Sequence, residues 1–179
     1  MSKRILILAG SPRKNGNSVA LCRAFARGAE ESGHQVETIF LRDKKIGFCL
    51  ACYHCKKSGG ICIIKDDMAD ILDKLVKADV LVMATPVYFY TVCGQMKTLI
   101  DRCCARYTEM TGKEFYFIVA AADDSKAAME RTIDGFRGFL DCLDDSRECG
   151  TIYGVGAWKI GEIEGSPAMK QAYDAGLNC

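Results

Sequence analysis

Hydrophobic and polar positions along the chain switch between two periods. Arg4 to Ala9 (RILILA) is a continuous apolar run of strand length, the pattern of a parallel strand buried on both faces. From about Ser18 to Ser32 the period becomes helical, with Leu21, Phe25 and Gly28 on one face and Gly33 as the stop. Gln35 to Phe40 (QVETIF) alternates like an outer strand. Asp66 and Asp67 open a helix striped by Met68, Ile71, Leu72, Leu75 and Val76, its acids at the positive end of the helix dipole. Residues 79–85 (DVLVMAT) form a second apolar strand, and Met96, Leu99, Ile100, Cys103 and Cys104 stripe the helix after it. Residues 114–121 (EFYFIVAA) make a third buried strand, followed by a helix through Met129, Ile133, Phe136, Leu140 and Leu143. A Gly-rich strand over 149–157 and a helix from Ser166 to Leu177 close the pattern.

Five strands alternating with five helices require right-handed crossovers and a parallel sheet covered on both faces. The most economical arrangement is α/β and flavodoxin-like: a doubly wound five-stranded parallel sheet, order 2-1-3-4-5. Ligands of such sheets sit outside the strand C-termini at the switch point, which predicts a site built from the loops after strands 1, 3 and 4. No repeat, linker or low-complexity segment interrupts the pattern, so residues 1–179 read as one domain carrying a cysteine-rich loop at 49–62.

Composition narrows the function. Hydrophobic residues make up 49% of the 179, enough for a full core. The 24 basic and 23 acidic residues cancel, which argues against a basic nucleic-acid surface and against the strong acidity of small electron carriers that dock by charge. The apolar run near the N-terminus stops at Gly10 and meets Arg13 and Lys14, too early for a signal peptide. No segment approaches the ~20 apolar residues that span a bilayer. A soluble cytoplasmic protein is predicted. Its 11 cysteines are then thiols in a reducing interior, since their odd number and the chain length oppose a disulfide frame. Cys22, Cys103 and Cys104 fall at helix positions that look buried, while Cys93, Cys142, Cys149 and Cys179 show no partner spacing.

Residues 10–18 (GSPRKNGNS) join the first strand to the first helix. Small polar residues leave the amides of this loop free, and it ends at a helix N-terminus, a combination that binds phosphate. Five residues separate Gly10 from Gly16 and Asn17 stands where a Walker A lysine would be, so a nucleoside triphosphate lacks its cation; G-x-G-x-x-G is absent as well. A terminal monophosphate held by Ser11, Arg13, Asn15, Asn17 and Ser18 fits better. The plainer alternative is a polar turn with Asn17 or Ser18 as the helix N-cap. After the third strand, residues 85–97 (TPVYFYTVCGQMK) place Tyr88, Phe89 and Tyr90 together behind Pro86. These aromatics either wall a flat ring or serve the core or a subunit interface. Beside a monophosphate loop, a flat ring spells FMN.

Cys49, Cys52, Cys55 and Cys62 lie within residues 49–62 (CLACYHCKKSGGIC). Zinc usually takes two separated C-x2-C knuckles. Three cysteines in a C-x2-C-x2-C run with a fourth beyond form a compact ligand set for a [4Fe–4S] cube. Free thiols remain open as a third reading. His34 lies on a surface turn before the second strand and His54 inside the cysteine loop; neither has a visible catalytic partner, and no catalytic side chain is assigned.

GSPRKNGNS, the C-x2-C-x2-C-x6-C run, DDM at 66–68, and PVYFY with the downstream GQMKTLIDR together resemble the NAD(P)H-dependent FMN reductase and iron–sulfur flavoprotein family over roughly the first 105 residues. The resemblance implies a flavodoxin-like fold, non-covalent FMN, and a homodimer or tetramer with flavin near the interface. By position it puts phosphate contacts on Ser11, Arg13, Asn15, Gly16, Asn17 and Ser18, and isoalloxazine contacts on Pro86, Val87, Tyr88 and Phe89. A third loop about Ala122 and Asp123 would close the far side of the ring. Lys97, Asp101 and Arg102 match the family's helix and read most simply as an exposed structural ion pair. The implied chemistry belongs to the flavin: hydride from NAD(P)H to N5, then electrons to a quinone, nitro compound, flavin or metal acceptor. The alternative is an electron carrier passing electrons between FMN and a [4Fe–4S] cluster on the four cysteines. A redox-sensing thiol protein and a metal-binding module are further alternatives.

Overall fold

The computed structural model describes every residue from Met1 to Cys179. Its strands β1 (Arg4–Ala9), β2 (Gln35–Phe40), β3 (Val80–Pro86), β4 (Glu114–Ala120) and β5 (Arg147–Gly154) form one sheet, order β2-β1-β3-β4-β5, with every neighbouring pair parallel. This is the doubly wound order that the alternation of periods requires. Six helices accompany it: α1 (Asn17–Glu31), a short α2 (His54–Lys57), α3 (Met68–Lys77), α4 (Gly94–Arg102), α5 (Glu130–Leu140) and α6 (Pro167–Leu177).

The two-residue period of the strands sorts the core into two clusters. Leu6, Leu8, Leu81, Met83, Phe115, Phe117 and Val119 face α3, α4 and α5. Ile5, Ile7, Val80, Val82, Tyr116, Ile118 and Ile152 face α1 and α6. Successive side chains of a buried strand point to opposite faces, so both must be apolar, and β1, β3 and β4 read as unbroken hydrophobic runs. On the second face, α1 and α6 touch backbone to backbone. A Cβ on Gly176 would lie 2.0 Å from the carbonyl oxygen of Phe25, and one on Gly28 2.1 Å from that of Tyr173. No helix is long and apolar enough to cross a membrane.

Three details differ from the sequence pattern. β5 runs 147–154 rather than 149–157, because Gly156 takes a positive φ of 66° and turns the chain out of the sheet. The helix after β3 ends at Arg102 and tightens into a 3-10 turn at Cys103–Ala105, which leaves Cys104 half-buried while Cys22 and Cys103 are fully enclosed. Burial pushes the Cys22 and Cys103 thiols up to about 12, so both are neutral hydrophobes at pH 7. The N-cap of α1 is Gly16, with no side-chain cap; Asn17 and Ser18 are already helical, and Asn17 is engaged elsewhere.

Candidate cofactor-binding site

The C-terminal ends of β1, β3, β4 and β5 bring four loops to one rim. Main-chain hydrogen bonds tie each to the next: Gly10 N to Ala84 O (2.8 Å), Val87 N to Ala120 O (2.9 Å), Ala121 N to Gly154 O (2.9 Å) and Ala157 N to Ala121 O (2.8 Å). Together they enclose a cavity of about 400 Å³ lined by Ser11, Arg13, Gly16, Asn17, Ser18, Pro86–Phe89, Ala120–Ala122, Ala157 and Trp158.

In the first loop, the buried Ser11 hydroxyl accepts from the Arg13 amide at 3.1 Å, and the Gly16 amide donates to the Arg13 carbonyl at 3.2 Å. The uncapped start of α1 then offers first-turn amides, the positive end of its dipole, to whatever fills the cavity. Asn17 is buried, and its amide holds the loop after β5. Nδ2 donates to Ala157 O (3.1 Å) and Lys159 O (2.9 Å), while Oδ1 accepts from Gly161 N (3.1 Å). Arg13 donates to Trp158 O at 3.2 Å. Asn15 stands outside the lining, where its Oδ1 accepts from Arg23.

The second wall is the turn Tyr88–Thr91, closed by reciprocal amide–carbonyl bonds of 3.1 Å. Phe89 and Tyr90 hold φ of 51° and 62°, left-handed values that cost of order 1–3 kcal/mol in a non-glycine residue. Phe89 is 99% exposed at the apex. An apolar side chain held out in water by a strained turn is a feature of binding sites rather than of packing. Ala121 and Ala122 line the third side. Asp123 does not; its side chain accepts from the Ser125 amide and its carbonyl from Gly156 N, so it braces the rim from outside.

The fourth wall was not among the loops that the sequence pattern marked. Trp158, the only tryptophan, is 69% exposed, yet its backbone is fixed at both ends: its amide donates to Glu162 Oε2 at 2.8 Å and its carbonyl accepts from Arg13. The Lys159 amide, helped by that of Trp158, holds the Glu162 carboxyl below its ordinary range. The available signal was its place just past the C-terminal end of the last strand. A second cavity of about 430 Å³ lies between α4 and α5, lined by Val92, Ile100, Cys103, Tyr107 and Phe139; most of its walls are helix flanks, away from the strand C-termini of β1, β4 and β5.

The cysteine loop lies beyond this rim. Its two ends are zipped together: Lys45 N donates to Asp67 Oδ2 (2.6 Å), Asp67 N to Lys45 O (3.1 Å) and Gly47 N to Asp66 Oδ2 (2.8 Å). Arg102, at the end of α4, reaches under it. Nη1 donates to Asp66 Oδ2 (2.7 Å) and Gly47 O (2.7 Å), and Nη2 to Asp66 Oδ1 (3.0 Å) with Cys62 Sγ at 3.5 Å. Arg102 is 3% exposed, so it is no surface ion pair; that description holds only for Lys97 and Asp101, joined at 2.5 Å. Burial pushes the Asp66 carboxyl up, but hydrogen bonds from Arg102 and the Gly47 and Met68 amides outweigh it and hold the group below 3.8.

The four loop thiols are not drawn together. Cys49 and Cys52 are exposed, Cys55 and Cys62 half-buried, and no three His, Cys, Asp or Glu side chains converge to hold a metal ion. In kind and number the donors fit an iron–sulfur cube, and a buried guanidinium beside Cys62 suits a thiolate ligand. Bringing Cys49 and Cys52 inward requires the exposed arm that carries them, where Ala51 and Tyr53 are left-handed, to refold. Both histidines lie off the rim cavity: His34 Nδ1 accepts from the Lys3 amide, and His54 is exposed at the start of α2.

Known proteins share the fold and, in part, the sequence of this chain. A family model described as NADPH-dependent FMN reductase matches residues 3–144. The chain is 41% identical over 102 residues to an iron–sulfur flavoprotein of Methanocaldococcus jannaschii, covering 57% of this chain and 51% of that protein. It is 35% identical over 99 residues to an iron–sulfur flavoprotein of Methanosarcina thermophila, covering 55% and 51%. The chain thus spans about half the length of these curated relatives. Among solved structures, an azoreductase from Bacillus anthracis superposes with TM-score 0.77 at 15% identity over the full length of both chains. An FMN-dependent NADH-azoreductase from the same species, in complex with FMN, gives 0.72 at 16% over 98% of each. At that identity the likeness is one of fold.

Proposed function

The chain belongs to the NADPH-dependent FMN reductase family, and on that premise we propose that it is an FMN-dependent NAD(P)H oxidoreductase. When bound, FMN supplies the redox chemistry, taking a hydride from NAD(P)H at N5 and passing electrons to a quinone, nitro compound, flavin or metal acceptor. The observation that carries this reading is the rim cavity, with an uncapped helix end on one side and the strained Tyr88–Thr91 turn on the other. The chain's own residues bind and orient. Ser11, Gly16, Ser18 and the first-turn amides of α1 take the phosphate, with Arg13 at its edge and Asn15 and Asp123 bracing from outside. Pro86, Val87, Tyr88 and Phe89 flank the ring, and Ala121 and Ala122 close its far side. No carboxylate or imidazole lines the cavity, so no side chain is assigned a proton-transfer step. Purified protein should retain about one FMN per chain and oxidise NADH or NADPH in the presence of a quinone. FMN retention without turnover on either nucleotide would refute the reductase reading.

A second reading is favoured by the cysteine loop and by the iron–sulfur flavoproteins among the relatives. In it, Cys49, Cys52, Cys55 and Cys62 hold a [4Fe–4S] cluster and the protein carries electrons between that cluster and FMN. Anaerobic purification followed by iron and sulfide assay separates the two: a cluster plus fast reduction by ferredoxin without NAD(P)H turnover supports the carrier. In either reading residues 1–179 act as one domain, a homodimer or tetramer with the exposed Phe89, Tyr90 and Trp158 near the subunit contact. Eleven free cysteines suit a reducing cytoplasm.

A further inference from the structure

We infer that Arg102 is the positioning residue of the cysteine loop: it clasps both ends of the loop and fixes Cys62 as the inner corner from which an iron–sulfur cluster assembles. The inference rests on the second reading above for its iron, and on geometry alone for its clasp.

Arg102 and Asp66 are a buried, two-pronged ion pair joining α4 to the loop. Burying two charges sacrifices hydration that their mutual attraction barely recovers, and apolar residues of the same volume would pack as well. Such a pair is better explained by the geometry it imposes than by stability. Here that geometry is specific. One guanidinium reaches Gly47 on the entering strand of the loop, and Asp66 and Cys62 on the leaving one. Its Nε is buried without any partner, so the fork is aimed by the loop rather than by its own hydrogen-bonding needs.

The clasp divides the four thiols into two pairs. Cys62 lies against Arg102, and Cys55 packs on the hydrophobic core beneath. Arg106, one helical turn further on, braces the same side: a Cβ on Gly60 would lie 2.9 Å from its Cγ, and it pairs with Glu109 and Asp73. Cys49 and Cys52 sit on the exposed arm, among the exposed Phe48, Leu50 and Tyr53. Assembly then means closing the outer pair onto an inner pair already in place, with guanidinium N–H groups beside one ligand sulfur. Hydrogen bonds to ligand sulfur are among the few means by which a protein tunes such a centre. The same helix begins at Gly94, two residues after the Tyr88–Thr91 turn, so it links the proposed flavin-side wall to the clasp.

The test uses the full chain, reconstituted anaerobically with ferrous iron, sulfide and FMN. R102Q and D66N should lose bound iron and sulfide about tenfold more readily than the natural chain, in line with other contacts that orient metal ligands. R102K, which keeps the charge but not the fork, should lie between. FMN per chain should stay unchanged in all three, and amide hydrogen exchange should rise over residues 45–68 while the sheet stays protected. Iron retention at the natural level in R102Q and D66N would overturn the inference, as would parallel loss of iron and FMN with exchange rising everywhere. If the natural chain takes up no iron, the carrier reading and the assembly role both fail; the exchange pattern then decides the clasp alone, unchanged exchange in R102Q refuting it.

Discussion

The rim cavity and the cysteine loop are the two regions of this molecule that carry candidate chemistry, and they are held by different means. The cavity is backbone work: four loops are tied in series by main-chain hydrogen bonds that extend the sheet's own ladder past its C-terminal edge. The loop is side-chain work, anchored at its base largely by Arg102, Asp66 and Asp67. A site built from the sheet keeps its shape as long as the sheet does, while a site hung on one ion pair can open alone. This difference fits the arrangement of each: four loops enclose the cavity, whereas the four thiols do not converge.

The largest effect expected is from R102A. Removing one partner leaves the half-buried Asp66 carboxylate with only the Gly47 and Met68 amides, which should cost about 3 kcal/mol, the lower end for a broken buried pair. If the loop is hung on this pair, denaturant unfolding should show that loss while FMN titration of the folded protein stays close to natural; a loss below about 1 kcal/mol would place the anchor elsewhere. On the cavity side, N17A removes three hydrogen bonds to the loop after β5 and should cost about 1–3 kcal/mol. Trp158 reports it directly: as the only tryptophan, its emission should be strongly quenched when FMN fills the cavity, and N17A should weaken that quenching. Unchanged quenching would separate Trp158 from the flavin site. Next in size is G16A. Its Cβ would meet Ser11 Oγ at 2.7 Å and force the hydroxyl off the Arg13 amide. FMN affinity should fall roughly tenfold, about 1.4 kcal/mol, with little change in iron content.

The sequence exposed these two regions unequally. β1 and β2 fall at the residues that their periodicity marks, because strand burial is a local property of alternating side chains. The cavity walls from the loops after β1, β3 and β4 were legible for a related reason: a parallel sheet sends the loops at its strand C-termini to one rim. Trp158 was not, since what carries it there is Asn17 bonding across 140 residues, and no local pattern encodes that contact. Among the cysteines, spacing named the donors but not what holds them. Arg102 and Asp66 are 36 residues apart, and on its own helix Arg102 looks like any charged residue of an exposed face. Asn17 illustrates the same limit from the other side. Its residue type suggests a cap or a phosphate contact, and the fold uses its side chain to pin a distant loop.

The smallest predicted effect is a pH dependence that should belong to the loop and not to the cavity. The Asp66 carboxyl titrates lower in the folded chain than the 3.8 of a free side chain, because the hydrogen bonds of its charged form outweigh the cost of burying it. A carboxyl lowered by folding stabilises the native state above its unfolded value, and that contribution fades as pH falls through the folded value. From pH 7 down to about 4 the clasp should therefore be insensitive to pH; below that, protonation should loosen it. No carboxylate lines the cavity, and those that brace its rim from outside, Glu162 and Asp123, hold the loops after β5 and β4, so the main-chain bonds of Gly10, Val87 and Ala121 should titrate little over the same interval. Hydrogen exchange run at pH 5 and pH 3 tests the contrast: protection over residues 45–68 should fall more than protection at Gly10, Val87 and Ala121, after correction for the intrinsic exchange rate. D66N should abolish the excess, because it leaves nothing at that position to protonate. The effect is smaller than that of R102A because burial already offsets part of what the hydrogen bonds contribute, leaving only the remainder for a proton to remove. Equal loss of protection at both regions would mean that acid attacks the sheet first, and that the loop opens only when the rim does.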